Sequence, residues 1–231
     1  MTSRAQVSYV AFAVVVAMIC VRLGVWQLAR RGERLASNAA ELAERGKPVL
    51  DLTHGSTPEA HRRVRASGTF DFEREIVLRG RAFEGVPGVE ILTPFRVPGR
   101  DTAVLVHRGF VASPDATTID VTLHRELPAA EIEGLAVTLP AGEGSAPVSV
   151  NGRETWRRLD LTALRSRLPY PIFDAYILAE SPAGGGGVTR RVPPPALDEG
   201  PHLNYAIQWF AFAAIALVGS GAYLFTRRRN R

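Results

Sequence analysis

The run Pro201-His202-Leu203-Asn204-Tyr205-Ala206-Ile207-Gln208-Trp209-Phe210 holds the histidine whose setting most suggests chemistry. Pro201 suits a first helical turn. His202, Tyr205, Ala206 and Trp209 then recur at i, i+3, i+4 and i+7, on one helix face. A histidine that opens a helix meets the positive end of the helix dipole, which disfavours imidazolium. Neutral imidazole is the form that a haem iron or a copper ion accepts. A plainer reading competes. Polar and aromatic residues are ordinary at the ends of membrane spans, where they meet lipid headgroups. Position alone favours that plainer reading.

Other catalytic constellations are missing from the sequence. It has no Gly-x-Ser-x-Gly elbow and no His-Glu-x-x-His helix. Cys20 is the single cysteine, so no intramolecular disulfide forms. It falls in an apolar run and reads as a small buried helix residue. His54, His61, His107 and His124 are scattered and lack metal-ligand spacing. His107-Arg108-Gly109 is only superficially like half of a kinase catalytic loop, because the aspartate is absent. Gly184-Gly185-Gly186-Gly187 is followed by no Gly-Lys-Ser/Thr, so it reads as a flexible link and not as a phosphate loop. No nucleophile–base pair stands out, and the expectation is a protein that is not an enzyme.

The elements that position His202 are membrane spans. From Leu203 to Thr226 no side chain is charged, roughly the twenty or more apolar residues that a crossing helix needs. Arg227, Arg228, Arg229 and Arg231 follow and place that end in the cytoplasm. A second apolar run extends from Ala5 to Val21 and resumes at Leu23-Gly24-Val25-Trp26. Trp26-Gln27-Leu28-Ala29-Arg30-Arg31 makes a poor signal-peptide cleavage site, and Met18-Ile19 a poor lipoprotein one, so the expectation is a retained anchor. Two spans put both termini inside and the chain between them outside. Arg30, Arg31 and Arg34 oppose the positive-inside rule, but a loop of about 170 residues can cross regardless of charge. At the outer level Trp26, Gln27 and Arg30 would face His202 if the helices pair. Arg22, deeper in, either snorkels to the interface or pairs with a buried anion. Net charge is +5, four of it from the tail, which gives no reason to expect nucleic acid as a partner. The single lysine and the many Ala, Arg, Gly and Pro fit a GC-rich genome. With the first span so near Met1, there is no room for a transit peptide, and a bacterial plasma membrane is expected.

The expected domains are a transmembrane helix over 5–29, continuing as an amphipathic helix to about 45, a mainly β domain over 47–200, a second span over 203–225 and a basic tail over 226–231. Leu28, Leu35, Ala39 and Leu42 carry the amphipathic extension, and Gly46 and Pro48 end it. Two-residue alternation predicts a strand over 64–72, and turn signals between further runs predict strands over 75–83, 90–97, 102–111, 132–139 and 172–179. A short helix is expected over 160–168, an exposed loop over 140–147, and an extended approach at Pro193-Pro194-Pro195. The fold class is thus a membrane α+β protein, two transmembrane helices flanking a mainly antiparallel β extramembrane domain, as a compact sheet or open barrel.

Five motifs in order resemble the surfeit locus protein one family of cytochrome c oxidase assembly factors. They are Leu23-Gly24-Val25-Trp26-Gln27-Leu28-Ala29-Arg30, Val86-Pro87-Gly88-Val89 with Thr93-Pro94, Val104-Leu105-Val106-His107-Arg108-Gly109-Phe110-Val111, Trp156 with Asp160, and His202 to Phe210. His107 stands where that family usually has Asn, Phe110 where it has Trp, and Pro201 where Asn commonly precedes the histidine. The resemblance implies a role in maturing a haem-copper oxidase by receiving or presenting haem a. It implies a haem-linked histidine at His202, which outweighs the headgroup reading. Tyr205 and Trp209 would pack against the porphyrin, Trp26 would close the other side, and Gln27 or Arg30 would meet polar substituents or propionates. The implied partners are oxidase subunits, chiefly the haem-bearing catalytic one, together with haem a synthase and the lipid bilayer. The alternatives are a scaffold for oxidase subunits that never binds haem, and a membrane-tethered enzyme or envelope sensor.

Overall fold

A computed structural model describes residues 3–142, 146–180 and 189–229. In chain order the elements are α1 (Ser3–Arg45), β1 (Leu50–Asp51), β2 (Arg63–Phe70), β3 (Ile76–Phe83), β4 (Val86–Arg96), β5 (Ala103–Ala112), β6 (Ala129–Thr138), β7 (Val148–Val150), β8 (Arg153–Trp156), α2 (Leu161–Arg167), β9 (Ile172–Ala179) and α3 (His202–Arg229). Two compact units result: Met1–Glu41 with Ala196–Arg231, and Leu42–Pro195. The tetraglycine expected to be a flexible link lies outside the described residues, as does part of the expected loop over 140–147.

In the helical unit, α1 and α3 are both long and apolar enough to cross a membrane. Burial is confined to one seam. On α1 the inward positions include Ala13, Ala17, Cys20 and Gly24, and on α3 they include Ala206, Ala213 and Ser220. The α1 set follows alternating steps of four and three residues and the α3 set recurs every seven, the period that keeps one helix face against a partner. Small residues there let the backbones approach closely, as membrane helices do when apolar burial alone gives no driving force. Gly24 shows how close. A Cβ there would lie 2.7 Å from the Phe210 ring. Outside the seam the large apolar side chains are exposed, Phe12 at 67% and Val218 at 70%. Exposed apolar surface of that extent is the mark of a lipid or partner contact and not of a soluble core helix.

In the β unit the strands form one sheet in the order β1-β2-β6-β9-β5-β4-β3-β8-β7. The first part of β4 pairs with β3 along one edge, and its end pairs with β2. That last pairing closes β2, β6, β9, β5 and β4 into a barrel-like ring. Pairing is antiparallel except for β1–β2, β3–β8 and β5–β9. Val64, Phe95, Val104, Val106, Ile132 and Ile177 fill the ring. The opposite face of the sheet buries Ile76, Leu78, Leu92, Leu105 and Trp156 under Leu161 and Leu164 of α2. Asp160 caps α2 by accepting from the Ala163 amide at 3.0 Å. With both faces covered, β5 is buried nearly throughout.

The six strands read from the sequence correspond to β2–β6 and β9, with shifted ends. β4 begins at Val86, four residues before the expected start. Pro87 and Gly88 sit inside a strand, a position their types argue against. Gly88 is required because a Cβ there would lie 2.2 Å from the Val111 carbonyl and 2.4 Å from the Phe110 ring. β1, β7 and β8 were not expected. They span two to four residues each, too short to show a period.

Strand β5 also departs from simple alternation. Even spacing predicts that Arg108 and Phe110 share a face with Val104 and Val106. Instead, a bulge opposite Ile91 and Leu92 inserts an extra residue at Arg108. Beyond it the phase reverses. Phe110 then stands opposite Glu90, and Val111 opposite Val89. Val111, not Phe110, joins the interior cluster of Val77, Val89 and Ile91. Gly109 allows the bulge through its φ of 136°. A Cβ there would also meet the Arg190 carbonyl at 2.5 Å.

Arg108 itself is fully buried. Its Nη1 donates to Glu75 Oε1 at 2.7 Å, and its Nη2 donates to the His124 carbonyl. Glu126, also buried, is 3.7 Å from its Nε and 3.0 Å from Arg191. The Phe72 ring centre lies 5.2 Å from the guanidinium. Burial raises the Glu75 carboxyl above its ordinary value, against the opposing charges of Arg108 and Arg125. Burial likewise lowers Arg108, against Glu126 and Glu75. Desolvation therefore outweighs pairing on both sides of the ion pair, as is common for buried salt bridges.

Candidate functional site

The end of the helical seam carries a polar pair. His202 Nδ1 lies 2.9 Å from Gln27 Oε1. An amide oxygen only accepts, so Nδ1 is the donor here, and a neutral imidazole in this tautomer presents the Nε2 lone pair. Gly200 stands beside that second nitrogen with a φ of 68°. A Cβ at Gly200 would lie 3.4 Å from His202 Nε2 and 3.2 Å from its Cδ2. Glycine at this position satisfies the backbone turn and keeps Nε2 clear. The first turn of α3 closes with the Tyr205 amide donating to the Pro201 carbonyl at 3.2 Å. His202 is half-buried, held by the helix pair on one side and open on the other.

The remaining residues singled out from the sequence have different settings. Gln27 contacts His202 directly, so its oxygen is engaged by the imidazole. Trp209 is half-buried and packs into the seam against Ala17, Cys20 and Ala213, with its ring edge-on to Phe212. Tyr205, at the edge of the His202 face, is 46% exposed, and Trp26 is 52% exposed. Arg30 is also exposed and bonds Glu33 one turn on. Arg22 is exposed, which fits a snorkelling side chain. The site is therefore an imidazole on a helix-pair surface with Trp26 and Tyr205 as the free aromatics.

Sequence reading missed the acidic residues that secure this end. Arg31 donates to Glu199 Oε2 at 3.0 and 2.6 Å from two of its nitrogens. Asn38 donates to the Asp198 carbonyl at 2.7 Å, and Arg34 lies 3.7 Å from the Asp198 carboxylate. These pairs offset the positive charge that stood against the positive-inside rule. They also fix the backbone leading into Gly200 and His202. The signal was present in the sequence: Asp198 and Glu199 shortly before the second span, and Arg31 and Arg34 shortly after the first. Among the described residues no group of three or more His, Cys, Asp or Glu could hold a metal ion.

Comparisons with known proteins agree with this organisation. A family model described as the SURF1 family matches residues 14–214. An uncharacterized SURF1-like protein of Mycobacterium tuberculosis is 29% identical over 193 residues, covering 80% of this chain and 68% of that protein. A SURF1-like protein of Monosiga brevicollis is 27% identical over 93% of this chain and 86% of its own length. One from Rickettsia felis is 26% identical over 87% of this chain and 89% of its own.

Proposed function

The chain belongs to the SURF1 family, and on that premise we propose that it is a non-enzymatic assembly factor for cytochrome c oxidase, a haem-copper oxidase, that holds haem a through His202 for insertion. The single observation that carries the reading is the His202–Gln27 pair at 2.9 Å, with Nε2 left clear beside Gly200. These residues fit the group. When bound, haem would supply an iron that takes a neutral imidazole nitrogen, which His202 would offer. Gln27 orients the imidazole and selects its tautomer, the task that outer partners perform for ligating histidines generally. Trp26 and Tyr205 offer exposed aromatic surface to an apolar ring system. Arg30, exposed and already bonded to Glu33, offers a cation at the polar rim. A lone imidazole gives loose attachment, as handover requires.

In the same reading both helices cross a bacterial plasma membrane, both termini are cytoplasmic and the β unit is extracytoplasmic. The receiving partner is the haem-bearing catalytic subunit of the oxidase, and haem a synthase is the donor. The exposed apolar faces of α1 and α3 support contact with lipid and with such partners.

The test is the absorbance of the full chain purified from haem-a-making cells. Wild type shows a Soret band, and His202→Ala lacks it while still folding and inserting. Gln27→Leu weakens the band without abolishing it, and oxidase haem a content falls in the same order. If His202→Ala keeps full haem occupancy and full oxidase activity, haem transfer is wrong and a scaffold for oxidase subunits takes its place.

A further inference from the structure

The β unit contains a second site, unrelated to His202. Strands β3, β4, β5 and β9 are sheet neighbours, and on one side they bound a cavity of about 320 Å³. That is a size suited to a small molecule. Leu78, Leu159 and Leu178 give it apolar walls, and the segment at Val192 and Pro193 forms another. Its polar lining is Arg81, Glu90, His107, Thr138, Arg158 and Tyr176.

Part of that polarity is paired internally. Glu90 is 3.3 Å from His107 Nε2 and 3.3 Å from Arg81 Nε. Burial opposes ionisation of Glu90, but the hydrogen bond and charge of His107, with Arg81, prevail and hold its carboxyl below the ordinary value. The carboxylate is thus neutralised by its own neighbours. Two donors remain. The Arg158 guanidinium is exposed, with no carboxylate or carbonyl partner among the described residues. The Tyr176 hydroxyl likewise has no hydrogen-bond partner among them. Burial, with the nearby Glu90 charge, raises Tyr176 above its ordinary value, so it stays protonated and can donate.

We propose that this cavity binds a small organic monocarboxylate with an apolar body. The carboxylate takes the charge of Arg158, with the Tyr176 hydroxyl as second donor, and the body lies against Leu78, Leu159, Leu178 and Pro193. One free guanidinium matches one negative charge. An amine is repelled by Arg158 and finds Glu90 already engaged. A polyol would strand its hydroxyls against leucine and proline walls.

The test uses the full chain in lipid nanodiscs and fluorine NMR of para-fluorophenylacetate, with para-fluorophenethyl alcohol and para-fluorophenethylamine beside it. Empty nanodiscs measure partition into lipid. The expected result is saturable broadening of the acid signal with protein present and none for the amine. Arg158→Gln weakens binding about tenfold or more, as loss of a charge-assisted bond should. Tyr176→Phe weakens it by a smaller factor. Arg158 is exposed, so its variant keeps the thermal midpoint of wild type. Absence of saturable acid binding overturns the proposal. So does equal binding of the amine or alcohol, or an Arg158→Gln variant that binds as tightly as wild type.

Discussion

Replacing Arg108 by leucine removes the one cation that reaches both Glu75 and Glu126 inside the β unit. Glu75 then keeps Arg125, 3.6 Å from its second oxygen, with the charge of Arg153 also opposing its rise, and Glu126 keeps Arg191 at 3.0 Å. Both carboxylates are almost wholly inaccessible, at 0% and 2%. Breaking a buried pair by removing one partner costs about 3–5 kcal/mol. Hydrogen exchange at β5, read by mass spectrometry on the full chain, should therefore quicken by roughly two to nearly four decades. The pH dependence has a definite sign. Folding raises the Glu75 carboxyl, so the folded state binds more protons there than the unfolded one. That contribution is fully present below the unfolded pKa and is lost as pH rises through the folded one. Without Arg108, the largest charge opposing that rise, the folded pKa climbs further. The deficit of Arg108→Leu should accordingly shrink as pH falls toward the ordinary carboxylate range. Adding Glu75→Gln should return about 1–3 kcal/mol at neutral pH, because the stranded charge is gone. Unchanged β5 protection in Arg108→Leu, or a deficit that does not shrink on acidification, refutes the reasoning. A fully stable variant that loses oxidase assembly would instead make Arg108 a partner contact.

Gly24→Val should push α1 from α3, costing about 1–3 kcal/mol of helix-pair stability through overpacking against Phe210. Phe210→Ala should relieve part of that loss, and thermal unfolding in detergent measures both; independent, additive losses would show that the two residues do not share one contact. Asp160→Ala should cost about 1 kcal/mol by uncapping α2, while Asp160→Asn should cost less, as checked by denaturant midpoints of the full chain.

The sequence by itself determined the parts that depend on local period and composition. Two apolar helices, the extension of the first to Arg45, six strands and the capped helix after Asp160 follow from spacing and residue type, as does His202 as the residue of interest. The tertiary structure decided what depends on register and on residues far apart in the chain. Closure of the ring rests on two residues at the end of β4 meeting β2, which no local pattern records. The phase reversal at Arg108 rests on a bulge that one glycine makes possible, so alternation misassigned Phe110. Gln27 and His202 are 175 positions apart, and only the seam of small residues brings the amide onto the imidazole. Trp209, placed beside His202 by helical spacing, went into that seam because Ala17 and Ala213 leave room for an indole. Periodicity reports which side of an element is apolar. It does not report which neighbour covers that side, and that choice set the site.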